Sequence, residues 1–515
     1  MAAVINDEVV AHTEGADEAK GDAAQDNEAE HVLLEGKVSM SKKDYVLQLT
    51  TSSLSLKADV DPGSSNKGSK SKDLTLPWTE ILRAEPDQKS PAETRHHSLC
   101  LHYIHHHSEK TLRVKVANIV SKDYHAEEWI NVIQKQCEKV PGRPKKVFIL
   151  VNPIGGSKRG RQTCHKVVGP LFELAHVHTT VEVTERSKHA LEIAENHDFS
   201  QYDGIVVVGG DGLYQEVLQG LIKQTQKRTG VNLDDPDAQL QPPDIPIGIV
   251  PAGTGNGVSG WCNGTIDVET SVLNIIRGER HKAMMYTIYS GSKFLCVCGL
   301  VFGYGMFGDM IQRTDELRWM GRARYAYCLF GSVVKKKRRF NCEIEVLQAE
   351  GGSSKDSDGK NASQKEELKW TKYDGTNKEF CGLSFFVVDK IDLGDRYVAN
   401  YFGEQSMLSV DTGASNVGML RTVFAVHSGK KNFPTVSNLD NFERVRGFKI
   451  KLTGQREETG DGASSSLARE KMLEQIVDID GEALHFDGND LEGRLHAHFL
   501  PVFGVYPAKV ACPPQ

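Results

Sequence analysis

The sequence has little that would place the chain in an oxidising compartment or inside a membrane. Its ten cysteines are scattered without a CxxC pair, which disfavours a disulfide framework or a metal site and favours buried, reduced thiols. The longest apolar stretch, 294–308, is shorter than the ~20 residues of a membrane-spanning helix and contains three internal glycines. No basic segment precedes an apolar core near residue 1, and residue 2 is alanine, so neither a signal peptide nor N-myristoylation is expected. We therefore expect a cytoplasmic protein that meets membranes only at their surface.

Outside the N-terminal segment, positive and negative charges nearly balance. Residues 1–30 hold nine acidic side chains and one lysine, so this segment carries −8 and leaves +1 of the overall −7 to the remainder. We expect residues 1–31 to form an acidic tail without a fold of its own. The 39% hydrophobic and 25% charged content is ordinary for a globular protein, and 515 residues suffice for about three domains. No nucleic-acid partner is predicted.

Residues 32–139 have the pattern of a small β-rich domain that ends in a helix. Trp129, Ile130 and Ile133 share one face of a helical pattern at 121–139. Strand-like runs precede it at 32–38, 44–49, 74–78, 99–103 and 111–116. This pattern resembles a pleckstrin-homology domain, a small β-barrel. That family binds phosphoinositide headgroups at its first hairpin, where this chain has Lys37, Lys42 and Lys43; a solvated lysine hairpin is the alternative.

Six histidines lie between residues 96 and 107, interleaved with apolar residues in a strand pattern. We expect His105–His107 to form a hairpin tip. Nothing in their spacing makes ligands converge, so a zinc site is disfavoured.

After a short linker at 140–144, strands alternate with helices, which predicts βαβ units and a mainly parallel sheet. We expect an α/β lobe at 145–283 and a β-rich lobe at 284–510. The cleft between two such lobes is the expected active site.

Three glycine-rich runs each follow an apolar strand, at 151–158, 207–212 and 251–256. Glycine lets backbone N–H groups approach a phosphate without a side chain in the way. Asp211 lies between glycines, where a carboxylate can reach bound substrate; capping of a turn is its alternative role. Three such runs in this order predict a nucleotide-dependent phosphotransferase.

The order of these runs resembles the diacylglycerol and sphingosine kinase superfamily, closely over 145–345 and loosely over 476–505. The resemblance implies that Asp211 is the catalytic base and that ATP and Mg²⁺ are used; the carboxylate that binds Mg²⁺ stays open. The resemblance also makes 145–283 the nucleotide-binding lobe and 284–510 the lipid-acceptor lobe, with Arg318 and Arg324 at the phosphates. Surface ion pairing with Asp315 or Glu316 is the alternative role of these two arginines. The candidate nucleotide-binding residues are Asn152, Gly155, Gly156, Lys158, Thr184, Gly209, Gly210, Gly212, Gly253, Thr254, Gly255, Asn256, Arg318, Arg324 and Glu482.

Within this superfamily, the runs 302–309 and 318–325 and the polar insert 224–241 resemble the ceramide kinases. The resemblance implies ceramide as the acceptor. Sphingosine, diacylglycerol and a membrane-binding adaptor that kept the kinase fold stay open as alternatives. The complete run 251–256 and the absence of cysteine from 399–411 depart from the ceramide kinases that have a degenerate third loop and a cysteine-rich stretch.

Asp309 and Ile311 are the candidate acceptor residues. Sphingosine kinases have two aspartates spaced D-x-D after the glycine-aromatic run, and the second meets the substrate's amine. In an ungapped alignment these fall on Asp309 and Ile311. An isoleucine cannot pair with an ammonium but can line a pocket for a neutral amide. Asp309 either orients the acceptor hydroxyl or ends a strand.

Two further segments could contact partners. The basic run at 333–340 suits an anionic lipid surface or a solvated face equally well. Residues 418–431 mix apolar and basic side chains as calmodulin-binding segments do, although a lobe strand is favoured there.

Overall fold

The computed structural model describes most of the chain up to residue 320 and selected segments after it. The described residues are 31–59, 73–108, 110–155, 158–320, 323–324, 327–328, 331, 340–350, 367–373, 380–386, 391–392, 397–398, 407–411, 439–442, 445–453 and 475–505. Most of the predicted acidic tail at 1–31 and of the basic run at 333–340 lies outside them; residues 31 and 340 are described, and the candidate calmodulin segment at 418–431 lies wholly outside them.

The N-terminal part is an antiparallel sheet followed by a helix. Its elements are β1 (Val32–Met40), β2 (Lys43–Thr50), β3 (Ser53–Ala58), β4 (Leu74–Pro77), β5 (Ile81–Pro86), β6 (Ser98–Ser108), β7 (Thr111–Ser121) and α1 (Ala126–Glu138). The strands are ordered β4-β3-β2-β1-β7-β6-β5. Trp129 is fully buried, and its Nε1 donates to Ser121 Oγ at 2.9 Å. The amphipathic face that the sequence indicated therefore closes the core of this sheet.

Two local predictions in this part were wrong. Helix α1 begins at Ala126 rather than at residue 121, because β7 continues to Ser121 and Glu128 Oε1 accepts a hydrogen bond from the N–H of His125 at 3.3 Å. His105–His107 lie within β6, where His105 pairs with Arg113 on β7, instead of at a hairpin tip. Within the described ranges, no three potential ligands converge to hold a metal ion.

The next part is the α/β unit that the sequence predicted. Its strands β8 (Lys146–Val151), β9 (His178–Val183), β10 (Gly204–Gly209) and β11 (Ile247–Pro251) are parallel and ordered β11-β10-β8-β9. Its helices are α2 (Gly160–Thr163), α3 (Gly169–Leu174), α4 (His189–Asn196), α5 (Asp211–Thr229), α6 (Gly257–Asn263) and α7 (Val268–Arg277). Since the strands are parallel, the loops after β8, β10 and β11 lie at one edge of the sheet.

The C-terminal part is rich in strands and contains one described helix of more than three residues. Its elements are β12 (Arg280–Ser290), β13 (Lys293–Cys298), β14 (Val301–Gly305), α8 (Met306–Glu316), β15 (Cys342–Glu350), β16 (Glu367–Lys372), β17 (Phe380–Phe386), β18 (Ile391–Asp392), β19 (Tyr397–Val398), β20 (Met407–Asp411), β21 (Leu439–Phe442), β22 (Val445–Leu452), β23 (Ile476–Ile479), β24 (Glu482–His485) and β25 (Asp490–Phe503).

The C-terminal strands divide between two large sheets and a separate two-stranded sheet of β18 and β19. Strand β25 pairs with β11, β12 and β22, so that β16-β15-β22-β25 continues the parallel block into one ten-stranded mixed sheet. A second sheet has the order β21-β20-β17-β14-β23-β24. The expected boundary at 283/284 falls inside β12. The strand-rich part therefore shares a sheet with the nucleotide-binding part and adds a second layer to it.

The N-terminal sheet packs against α7. The backbone N–H of Leu112 donates to Thr270 Oγ1 at 3.0 Å, and Arg113 Nη1 pairs with Asp267 at 2.6 Å. At the other end of α7, Arg277 pairs with the buried Glu80 at 3.2 Å. Apolar residues of β5, β6 and β7 join the hydrophobic core that also includes α7. The N-terminal sheet and the α/β unit thus share a core and ion pairs.

No helix in the described ranges combines the length and the hydropathy needed to cross a membrane.

Candidate active site

The three glycine runs meet at the carboxyl edge of the parallel strands. The loops after β8 and β11 each add one backbone hydrogen bond to their pairing with β10. The N–H of Asn152 donates to Val208 O at 3.1 Å, and the N–H of Ala252 donates to Gly209 O at 2.8 Å. The runs that lie about fifty residues apart in sequence are therefore neighbours in space, as the predicted parallel sheet required.

The second and third runs touch through their backbones. A Cβ added at Gly253 would overlap the Cα of Gly210, and a Cβ at Gly210 would lie 2.7 Å from Gly255 O. Asn256 closes the third run, because its Oδ1 accepts from the N–H of Gly253 at 3.0 Å and its Nδ2 donates to Gly253 O at 3.2 Å. Glycine is needed here for contact between the loops as well as for access to a ligand.

Asp211 is the first residue of α5, directly after the turn that ends β10. Its Oδ2 accepts from the N–H of Gly257 and its Oδ1 from the N–H of Val258, both at 3.0 Å. Burial raises the pKa of Asp211, while these two N–H groups oppose the rise. The carboxylate thus anchors the start of α6, as the capping role expects. Each oxygen keeps a second lone pair that can accept a proton from a substrate.

A second carboxylate lies against the residue that follows Asp211. Glu482, the exposed first residue of β24, places its Oε1 2.8 Å from where a Cβ at Gly212 would lie. A side chain at Gly212 would displace it. The turn that carries Glu482 therefore contacts the start of α5, the helix that Asp211 begins.

The first glycine run is closed by its own asparagine. Asn152 Oδ1 accepts from the N–H of Ile154 at 3.1 Å and of Gly155 at 2.8 Å. Lys158 has a positive φ of 58°, and its N–H donates to Gly155 O at 3.0 Å. The buried Thr184 donates its hydroxyl to Val151 O at 3.3 Å, at the base of this loop. Gly156 lies outside the described residues.

The candidate acceptor residues lie on α8. This helix follows β14 directly through Gly305, whose φ is 72°. Asp309 is in its first turn rather than at a strand end, and Ile311 is buried, with 3% of its surface exposed. A Cβ at Gly308 would lie 2.6 Å from Ile476 O, so α8 packs on β23, the strand that leads to Glu482.

The two candidate phosphate-binding arginines follow α8. The side chain of Arg318 lies outside the described residues. Arg324 lies near Cys328, where burial raises the thiol pKa and Arg313 and Arg324 oppose the rise. Their contact with a nucleotide stays a prediction.

The sequence interpretation missed two glycines that build this site. A Cβ at Gly160 would overlap Asn152 O, so α2 starts against the first loop. Gly257 supplies one of the N–H groups that hold Asp211. The spacings Gly155–Gly160 and Gly253–Gly255–Gly257 were available signals for them. Asp480, which the sequence places with Glu482 in an acidic turn at 478–482, is buried, and its partners have no local signal.

Comparison with known proteins agrees with this geometry. Residues 146–288 match the family model of the diacylglycerol kinase catalytic domain. The chain is 39% identical over 199 residues to a human ceramide kinase, covering 39% of this chain and 37% of the relative. It is 36% identical over 224 residues to a ceramide kinase of Mus musculus, covering 44% and 42%. It is 36% identical over 215 residues to sphingosine kinase 2 of Arabidopsis thaliana, covering 41% and 42%.

A solved structure described as a putative diacylglycerol kinase from Bacillus anthracis str. Sterne is 16% identical, covers 72% of this chain and 99% of its own, and has a TM-score of 0.46. The matched segments span about two fifths of the length of the curated relatives named above. Residues 146–288 are thus similar to the diacylglycerol kinase catalytic domain, and parts of the chain are similar to ceramide kinases and to a sphingosine kinase.

Proposed function

We propose that this chain is an ATP-dependent lipid kinase that phosphorylates the primary hydroxyl of ceramide. The observation that carries the proposal is the convergence of three glycine runs on Asp211, at the carboxyl edge of a parallel sheet. The identity to ceramide kinases over 199 and 224 residues supports the choice of lipid. Related sphingosine kinases keep a sphingoid base as the second candidate acceptor.

In this proposal Asp211 accepts the proton of the lipid hydroxyl as the new O–P bond forms. Burial raises the pKa of its carboxyl, which makes it a better proton acceptor than an exposed aspartate. The N–H groups of Gly257 and Val258 fix its direction. The backbone N–H groups of the glycine runs and the Lys158 ammonium offset the charge of the phosphates, which is the main requirement of phosphoryl transfer.

The carboxylates of Asp211 and Glu482 fit a magnesium ion in this proposal. Mg²⁺ usually takes one or two protein carboxylates and completes its shell with water and substrate phosphates. Asp211 begins α5, and the carboxylate of Glu482 contacts Gly212, the next residue of that helix. When bound, the ion would neutralise charge on the phosphates.

Replacement of Asp211 by Asn tests this function. We expect Asp211→Asn to lower kcat by about 10²–10⁴-fold, the usual contribution of a general base, while ADP still binds. Asp198→Asn is the matched control, because that exposed aspartate contacts only its own turn at Ser200 in the described hydrogen bonds. Wild-type rates in Asp211→Asn would exclude Asp211 as the base. No transfer to any lipid by the unmodified protein would favour the adaptor alternative.

We propose that Ile311 lines the acceptor pocket and selects a neutral amide. Its burial, on the helix that packs on β23 through Gly308, supports this placement. Ile311→Asp would put an unpaired charge there, so we expect ceramide phosphorylation, counted per ADP-binding molecule, to be lost. Ile311→Val, which stays apolar, is the control. Full ceramide activity in Ile311→Asp would place the pocket elsewhere.

We also propose that the N-terminal sheet is a pleckstrin-like domain that binds anionic lipid headgroups through its first hairpin. Ser41 and Lys42 form a turn with positive φ, and Lys42 and Lys43 are exposed there; Lys37 pairs with Asp59 at 3.0 Å. The double variant Lys42→Ala/Lys43→Ala of the full chain should bind less to phosphoinositide-containing vesicles than the wild type does. The control double variant Lys135→Ala/Lys139→Ala, at the C-terminal end of α1, should bind as the wild type does. Equal binding to neutral and phosphoinositide vesicles would contradict headgroup recognition. Packing against α7 would then be the role of this domain.

A further inference from the structure

The acidic turn at 478–482 contains Asp480, whose carboxylate has an unusual set of hydrogen-bond donors. Asp480 is buried, and its carboxylate accepts hydrogen bonds from the N–H groups of Gly299 at 2.7 Å, Leu300 at 2.8 Å and Val301 at 3.0 Å. The thiol of Cys298 donates to the same carboxylate at 3.2 Å. In return, the N–H of Asp480 donates to Val301 O at 2.9 Å. One side chain thus binds four consecutive residues.

These residues are the point where the chain changes sheets. Strand β13 ends at Cys298 in the ten-stranded sheet, and β14 begins at Val301 in the six-stranded sheet. Backbone N–H groups at such a crossover are buried without a place in the ladder of the first sheet, and an unpaired buried N–H is costly. The Asp480 carboxylate satisfies them together. Asp480 therefore fastens the two sheets to each other.

The crossover lies directly against the nucleotide-side helices. A Cβ at Gly299 would lie 3.0 Å from Tyr214 on α5, the helix that Asp211 starts. Leu300 Cδ1 would lie 3.5 Å from a Cβ at Gly257, which holds Asp211. A shift of the crossover would therefore reach the surroundings of the proposed base.

The turn that carries Asp480 also carries Glu482. Asp480 has a φ of 55°, and the chain reverses over Gly481, so that Glu482 faces Gly212. On the other side, β23 supports α8 through the contact of Gly308 with Ile476. The same turn thus joins the nucleotide loops to the helix that bears the candidate acceptor residues.

We propose that Asp480 is a positioning residue, which holds Glu482 against Gly212 at the start of α5 and sets the distance between the nucleotide loops and α8, the helix that bears the candidate acceptor residues. It acts through Glu482 and through the crossover and touches no substrate itself. The inference rests on the lipid-kinase function proposed above.

The test is Asp480→Asn in the full chain, with kcat expressed per ADP-binding site so that unfolded molecules do not count. The amide keeps one acceptor oxygen but turns an NH₂ group toward the backbone donors. We expect kcat to fall by about 10²-fold, the usual effect of misplacing reacting groups by about 1 Å. ADP affinity should fall no further than in Glu482→Gln. Asp478→Asn is the matched control, because its amide oxygen can still accept from the N–H of Gly481.

A double-mutant cycle separates positioning from simple structural support. If Asp480 acts through Glu482, Asp480→Asn should cost much less in a Glu482→Gln background than in the wild type. Additive losses, or a kcat within about threefold of wild type in Asp480→Asn, would overturn the proposal.

Hydrogen exchange tests the structural part without any lipid. Peptides that cover Gly299–Val301 should exchange far more slowly than the exposed hairpin turn at Gly291, and Asp480→Asn should remove this protection. Asp480→Ser is made alongside in case the asparagine variant does not fold. Rapid exchange at the crossover of the wild type would contradict the contact itself. If the wild type phosphorylates no lipid yet shows this protection, the proposed lipid-kinase function is wrong. The claim that Asp480 fastens the two sheets would still hold.

Discussion

At the scale of single residues, the glycine runs show what a local pattern can predict. The sequence placed Asp211, Gly253 and Asn256 at a phosphate-binding site because glycines after a buried strand are a local signal. It could not predict that Gly210 and Gly253 touch, since this contact depends on β10 and β11 being neighbours. The partners of Asp480 were not predicted for the same reason, because they lie about 180 residues away in sequence.

Gly253→Ala tests the contact between the loops. The added Cβ would overlap Gly210, so we expect a loss of about 1–3 kcal/mol in the free energy of unfolding and weaker ADP binding. Gly169→Ala is the control: it is helical, with its nearest neighbour, Cys164 O, at 3.4 Å, and should be neutral or more stable by up to ~1 kcal/mol. Denaturant unfolding and calorimetric ADP titration measure both. Equal ADP affinity in both variants would mean that the loops tolerate separation.

The pH dependence of the reaction follows from Asp211. A general base works only when it is deprotonated, and burial raises the pKa of this carboxyl. We therefore expect kcat/KM to fall as the pH is lowered, with a midpoint above the ordinary aspartate value of about 3.9. A profile measured where the melting temperature is constant checks this. A flat profile down to about pH 4 would mean that no carboxyl with a raised pKa takes the proton.

At the scale of elements, the sequence predicted which segments are strands and helices better than where they end. Strand β7 reaches Ser121 and β6 includes His105–His107 because these two strands pair along almost their whole length. The end of a strand is set by its partner, whereas the apolar alternation that reveals the strand is local. The amphipathic face around Trp129 was correct because it depends only on spacing within α1.

The contact between β7 and α7 should contribute to stability. Burial alone would raise the pKa of Asp267, but hydrogen bonds from Arg113 and Thr270 outweigh it and lower the pKa. Arg113→Met should reduce the free energy of unfolding by about 1 kcal/mol, since the pair is only partly buried. In the wild type, this contribution is present above the pKa of the unfolded aspartate and is lost as the pH falls through the lowered value.

Denaturant unfolding at neutral and acidic pH measures this difference. Arg186→Met, which removes an exposed pair with Glu192, is the control and should leave stability unchanged. An Arg113→Met variant as stable as the wild type would show that the Arg113–Asp267 pair does not help to hold the N-terminal sheet on α7.

At the scale of the whole molecule, the sequence predicted a parallel sheet followed by a strand-rich part but not how the two join. Strand β25 pairs with β11 through Val502 and Ile247, which are about 250 residues apart. No periodicity encodes such a pairing, because both strands read as apolar runs. That the three glycine runs lie at one edge of the sheet was nevertheless predictable, since they follow the parallel strands β8, β10 and β11. The Asp480 crossover, which depends on the join, was not.

The most direct test of the account is a side-by-side assay of ceramide, sphingosine and diacylglycerol with ATP and Mg²⁺, in which Asp211→Asn serves as the blank. The account predicts transfer of the γ-phosphate to ceramide, in clear preference to the other two lipids, and loss of that transfer in the blank. The buried Ile311 offers no charge to pair with the sphingosine ammonium, which would be costly to bury unpaired. A clear preference for sphingosine or diacylglycerol, or ceramide phosphorylation that survives in Asp211→Asn, would contradict the account.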